Sequence, residues 1–164
     1  RINLLRKYGN HPFPTEQKLE AEACDYCYQG TISDKKIESS QQEDKMNNAP
    51  EQYVVKRCSD TKYNGGWHTD LTADGLNALR WKELPFRSGE SIIRFRYASE
   101  GEITVCCQIG NEMTQKVTLP ATGNAWEETE VAVYTRDTRG YADFNLAVIE
   151  GAISLNYVEI ITNK

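Results

Sequence analysis

The sequence predicts an all-β chain folded as an antiparallel sandwich or barrel. Three observations carry that expectation. From Leu76 to Ile161 apolar residues recur at every second position, in run after run. Glycine, proline and asparagine fall between the runs, where hairpins turn. The chain has 164 residues, enough for one domain with one core. A period of two places side chains on alternate faces of a strand, so each run has one face for a core. Several short strands at this spacing suit a sandwich or barrel.

Residues 1–17, with Pro12 and Pro14, read as linker or as the remnant of a preceding domain; residues 18–164 form the expected β-domain. Lys18 to Cys24 (KLEAEAC) admits two readings. Leu, Glu and Ala favour a helix, whereas Leu19, Ala21 and Ala23 alternate with Glu20 and Glu22 as in a strand. Residues 29–51 are polar apart from Ile32, Ile37 and Met46, and predict a long loop with one edge strand, its turn-rich centre at 46–50. Tyr53 to Cys58 predicts a strand, 64–66 a turn, and Leu76 to Phe86 a strand whose Trp81 belongs in the core. Strands follow at Ile93–Tyr97, Ile103–Val105, Val117–Leu119, Val131–Val133, Phe144–Val148 and Ile153–Ile160. The turns between them are Glu100-Gly101, Gly110-Asn111, Pro120–Asn124, Arg139-Gly140 and Glu150-Gly151, each offering a pre-set bend or a positive φ.

Net charge is −5 and the basic residues are scattered, so no stripe invites nucleic acid. No apolar run is long enough to cross a bilayer. Of the five cysteines, Cys24 and Cys27 have C-x-x-C spacing, which suits redox or zinc chemistry. No second such pair accompanies them, and His11 and His68 lie at no ligand spacing, so buried thiols and one disulfide at most are expected. Cys106 and Cys107 are adjacent in a strand, face opposite sides, and are not both expected in the core. No G-x-S-x-G elbow or Ser/His/Asp set is evident, and Glu127, Glu128 and Glu130 read as surface residues rather than a glycosidase pair.

Four segments, in order, resemble family 6 carbohydrate-binding modules. Leu19-Glu20-Ala21-Glu22 resembles the opening (I/L)-E-A-E strand. Ile93 to Ser99 (IRFRYAS) resembles "v-v-R-y-A-s". Leu119 to Trp126 (LPATGNAW) resembles "v-P-x-T-G-g-W" with one extra residue. Ala152 to Ile160 (AISLNYVEI) resembles the closing "f-N-l-D-y-i-x-i". The resemblance implies a jelly-roll β-sandwich attached to a glycoside hydrolase, with family 43 as the expected parent.

The resemblance also implies a site. Trp126, in a loop after Gly123, would offer its flat face to a pyranose ring, since an aromatic face buries area at small entropic cost. Trp67 and Tyr63, just upstream of the segment Asp74–Asn77, are the second aromatic candidates. The closing sugar-binding Asn is replaced by Ser154, or supplied by Asn156 if the alignment slips. A structural calcium would lie between Glu20, Glu22 and Asn156, oxygen ligands of the kind calcium takes; Asn156 stands where the family commonly has Asp. His68 reads as an exposed loop residue.

The expectation is therefore a non-catalytic module that holds a parent glycoside hydrolase near a plant-type polysaccharide of the xylan or arabinan class. Its partners would be an oligo- or polysaccharide and the parent catalytic domain, with no nucleic acid and no membrane. Its location would be secreted, periplasmic or cell-surface. A spacer that packs on the catalytic domain without binding sugar, and a small hydrolase, are the alternatives.

Overall fold

The structure, a computed structural model, describes residues 16–39, 55–60, 66–136 and 140–162. Residues 1–15 of the expected linker 1–17, the turn at 46–50 and Tyr63 lie outside the described residues, while Glu16 and Gln17 of that expected linker are in a strand. Two antiparallel sheets pack face to face. The first sheet has β8 (Gly89–Ala98) and β13 (Ala152–Thr162) at its centre, with β11 (Glu127–Thr135) beyond β8. The other edge of β13 is shared: β1 (Glu16–Glu20) pairs with its second half and β6 (Trp67–Thr72) with its first, and β5 (Val55–Arg57) lies outside β6. The second sheet runs β10 (Gln115–Leu119), β9 (Ile103–Ile109), β12 (Gly140–Glu150), β7 (Ala78–Phe86), β2 (Tyr26–Tyr28). Between them Phe95, Tyr97, Leu71, Phe144, Leu146, Ile103 and their neighbours form one buried core. Trp81 is in it, stacked on Phe144 with ring centroids 5.8 Å apart. No α-helix occurs among the described residues.

The alternation that predicts β8 holds throughout: Ile93, Phe95 and Tyr97 point inward, Arg94 and Arg96 outward. On β13 it fails at one place. A bulge between Leu155 and Tyr157 inserts Asn156, so the register flips and Val158 and Ile160 take the core face in place of Tyr157. One extra residue does this because side-chain direction has period two.

The opening segment divides the two readings of KLEAEAC. The strand ends at Glu20, and Ala21–Ala23 make a single 3₁₀ turn. The long polar stretch contains more than one edge strand: β3 (Gly30–Ile32) and β4 (Ile37–Ser39) form a hairpin. It lies on the outer face of the second sheet. Gln108 of β9 fastens it, accepting from the Ile37 amide (3.0 Å) and donating to Lys35 O (3.0 Å).

This cover corrects the expectation for Cys106 and Cys107. Both are fully buried, Cys107 in the main core and Cys106 in a second small core with Tyr28, Ile37, Ala78 and Ala147. Strand geometry does send them to opposite faces, and the hairpin buries the outer one. All five cysteines are buried free thiols, with no disulfide. Burial pushes the Cys107 thiol far up, so it does not ionise.

Candidate functional site

The site is built on one end and the adjoining outer face of the first sheet. At the end of β8, Ser99 organises the loop between β10 and β11. Its carbonyl accepts the amides of Thr122 (3.1 Å) and Asn124 (3.0 Å), and its own amide donates to Thr122 Oγ1 (2.9 Å). Tyr97 Oη donates to Pro120 O at 2.6 Å. Gly123 and Asn124 both turn with positive φ, 63° and 64°; glycine takes such angles freely and Asn more readily than most residues. So braced, the loop delivers Trp126 half-buried rather than into the core.

Trp126 is held at its edge. Its Nε1 donates to Ser59 Oγ (2.9 Å), and its ring meets His68 with centroids 5.3 Å apart and planes tilted by 59°. His68 is thus not the exposed loop residue expected. It lies on β6 with its side chain only 12% exposed, because Trp126 covers it. Burial lowers its pKa, against the opposing pull of Asp70, whose carboxylate lies 3.2 Å from Nε2.

Asp70 gathers the polar groups. It accepts from Ser154 Oγ (2.7 Å), on the paired strand β13, and from Lys56 Nζ (2.7 Å). Burial alone would raise its pKa, but the bonds from Lys56 and Ser154 outweigh that and the net shift is downward, so the carboxylate is charged.

Beside this group is a second. Residues 58–60 cross the outer face of the sheet, and Asp60, 2% exposed, receives Arg96 in a forked pair, Nε and Nη2 each at 2.7 Å. Asn156 at the bulge donates its Nδ2 to the same carboxylate (3.0 Å). Farther along, Arg94 pairs with Glu130 (2.6 Å) and approaches Glu128 and Glu159 (3.4 Å each). The face beyond Trp126 is therefore laced with ion pairs around Arg94.

The expected site residues thus divide. Trp126 and Ser154 come together around Asp70. Asn156 belongs to the Asp60 group next door. Trp67 is 50% exposed, but in β6 it precedes His68 and so points to the opposite side of the strand from the residue that touches Trp126. Tyr63 is outside the described residues. Glu20 and Glu22 do approach each other: burial, with Glu20's charge adding, raises the Glu22 carboxyl. Glu20 also lies 3.7 Å from Lys18 Nζ, and Asn156 turns its amide nitrogen to Asp60. Among the described residues no three His, Cys, Asp or Glu side chains gather around one metal position.

Sequence reasoning missed Asp70, Lys56, Ser59 and Asp60. A signal existed for Asp70: in Trp67–Thr72, buried Thr69 and Leu71 alternate with His68, Asp70 and Thr72, which marks an outward polar row. Asp60 and Ser59 gave none, since their partners lie far along the chain.

A two-sheet β-sandwich with a loop-borne tryptophan and polar groups at its end has the form of a carbohydrate-binding module, and comparison with known proteins agrees. The model of carbohydrate-binding module family 35 matches residues 52–160, and the chain belongs to that family. Solved structures of family 6 and family 35 modules share its fold. The C-terminal family 6 module of the laminarinase LamC from Zobellia galactanivorans is 18% identical, with a TM-score of 0.63, and covers 90% of this chain and 99% of its own. A family 6 module of Cellvibrio mixtus lichenase 5A, solved with cellotriose, is 17% identical at a TM-score of 0.64, over 90% of this chain and 98% of its own. A family 35 module from Clostridium thermocellum is 12% identical at 0.58, over 92% and 100%. No curated protein matches the chain. The resemblance read from the four segments therefore holds at the level of family 6-type carbohydrate-binding modules, a non-catalytic class.

Proposed function

We propose that the chain binds an oligo- or polysaccharide at the loop end of the first sheet, with Trp126 as the stacking surface and Asp70 and Ser154 as polar contacts. The observation that carries this reading is Trp126 itself: a large aromatic held at its edge by Ser59 and His68, on a braced loop, outside the core cluster. Relatives of this fold have been solved with cellotriose, cellobiose and xylose, which supports a plant-type glycan, with xylan or arabinan the class expected here. A parent glycoside hydrolase outside the cell, of family 43 type, completes the reading. A structural calcium held by Glu20 and Glu22, with Asn156 near, is part of it: a cation there would relieve the crowding of two carboxylates, one of them half-buried.

Stacking and a few hydrogen bonds to a neutral sugar give a dissociation constant on the order of 1 mM to 10 µM. Isothermal titration against xylan, arabinan and β-glucan oligosaccharides tests it; a Trp126→Ala chain that keeps its fold and binds at least tenfold more weakly is the expected result. The spacer reading rests on Ser154, whose hydroxyl is already given to Asp70. Silence on every glycan together with unfolding of Trp126→Ala would favour it.

A further inference from the structure

The ring that Trp126 meets is a titratable one. His68 of β6 packs against it, with centroids 5.3 Å apart, and the contact leaves the imidazole largely buried. The two imidazole nitrogens have different surroundings. Nε2 lies 3.2 Å from Asp70 Oδ1. Nδ1 is buried and has no hydrogen-bond partner among the described residues. A proton on Nε2 thus faces a carboxylate, and the neutral ring leaves Nδ1 a bare acceptor. An imidazolium carries a second N–H, on Nδ1. That N–H would be a buried, charged donor with nothing to receive it, which is costly.

The charges nearby do not remove that cost. Among the described residues those acting on His68 are Asp70, on its own strand, and Lys56 of β5. Asp70 attracts a cation, but it already holds Lys56 Nζ at 2.7 Å, and Lys56 stands opposite His68 in the β5–β6 pairing. Ser154 of β13 bonds Asp70, and Ser59 bonds Trp126; neither side chain carries a charge. Asp60, the residue after Ser59, is engaged by Arg96. Burial outweighs the pull of Asp70 and lowers the His68 pKa from its usual 6.5.

We propose that His68 is the pH-sensitive seat of Trp126: the neutral imidazole holds the ring where a glycan stacks, and the imidazolium turns toward water and displaces it, so that the module releases its ligand in acid. The proposal rests on the carbohydrate-binding reading above and adds the regulation of that site. Trp126 is what covers the imidazole, so charging the one and seating the other compete. Asp70 stays ionised through this window, since its own pKa is lowered from 3.8. Affinity is therefore full above the usual histidine range, where His68 is neutral, and falls as pH drops through the lower folded value. One proton is linked, so the fall is at most about tenfold per pH unit.

The test is isothermal titration of the chain with xylan, arabinan and β-glucan oligosaccharides at pH 7.5 and at pH 5.0, with the melting midpoint showing that the chain is folded at both. The glycan that binds at pH 7.5 should bind about fivefold more weakly at pH 5.0. In His68→Gln, which has no proton to gain, the affinity should be equal at the two pH values, whatever its size. A second measurement needs no variant: by reciprocity, saturating glycan should lower the His68 pKa, read from its imidazole proton resonances. Equal affinity of the wild-type chain at both pH values, a loss in acid that persists in a folded His68→Gln, or a His68 pKa unmoved by glycan would each overturn the proposal and leave the module reading in place. Binding of no glycan at pH 7.5 would overturn both.

Discussion

Removing the Asp60 carboxylate should unpin the whole site. Asp60 is 2% exposed and accepts the forked Arg96 pair, two bonds of 2.7 Å, and the Asn156 amide at 3.0 Å. In Asp60→Ala the Arg96 guanidinium, with its side chain 13% exposed, is left without its forked partner. Breaking a buried pair by deleting one partner costs about 3–5 kcal/mol. Arg96 has some solvent and lies 3.8 Å from Glu128, so the lower end, about 3 kcal/mol, is expected. For a chain of this size that is a fall of roughly 6–12 °C in melting temperature. Residues 58–60 also lose their anchor to the sheet, and with it the Ser59 hydroxyl that holds the Trp126 edge. Glycan affinity should therefore fall although no sugar-facing group has changed. Urea denaturation of wild type and variant, read at constant slope, measures the first effect, and titration the second. Arg96→Met/Asp60→Leu should recover most of the stability, since an apolar pair can replace a buried ionic one. A shift below about 0.5 kcal/mol in Asp60→Ala would refute the reasoning, because so small a cost is that of an ordinary surface substitution.

The two tryptophans should separate by what they hold. Trp126→Ala loses one hydrogen bond and one ring contact, about 1–2 kcal/mol, whereas Trp81→Ala opens the core and should cost about 3–5 kcal/mol by denaturation midpoint. Stability should fall as pH falls. His68 and Asp70 both have folded pKa values below their usual 6.5 and 3.8, so the folded state binds fewer protons than the unfolded one, and their contribution, present above those values, is lost as pH drops through the lower folded ones. Midpoints measured from pH 8 to 3 should show this, with the upper part of the decline flattened in His68→Gln. If calcium is held at Glu20 and Glu22, a chelator should lower the melting temperature, and added calcium should raise it with the logarithm of free metal; Glu22→Gln should abolish that response.

The legibility of this molecule follows the range of its interactions. The strands around Phe95 and Leu146 are plain in the sequence because each carries its own period. Pro120 to Trp126 is legible too, since the residues that turn the loop are inside it. The bulge at Asn156 is hidden because Tyr157 is apolar enough to pass for a core residue, and only the pairing with Arg96 shows the slip. The hairpin of β3 and β4 is hidden because it brings only Ile32 and Ile37 to the second core and leans on Gln108, 71 residues from Ile37. The site is hidden in the same way: Asp60 meets Arg96 across 36 residues, and Ser59 meets Trp126 across 67.

The hairpin over Cys106 makes the molecule its own clock. Cys106 and Cys107 are chemical twins on adjacent positions, both fully buried. Cys107 is reached by a reagent only when the two sheets part. Cys106 is reached as soon as the hairpin lifts, an excursion that breaks the Gln108 bonds and leaves the sandwich closed. In a chain whose Cys24, Cys27 and Cys58 are replaced by Ser or Ala, thiol labelling should thus be biphasic. The fast phase should be nearly indifferent to low urea, as a local opening exposes little surface, and the slow phase should accelerate with it. The ratio of the two rates reads directly how much less firmly the cover is held than the domain it covers.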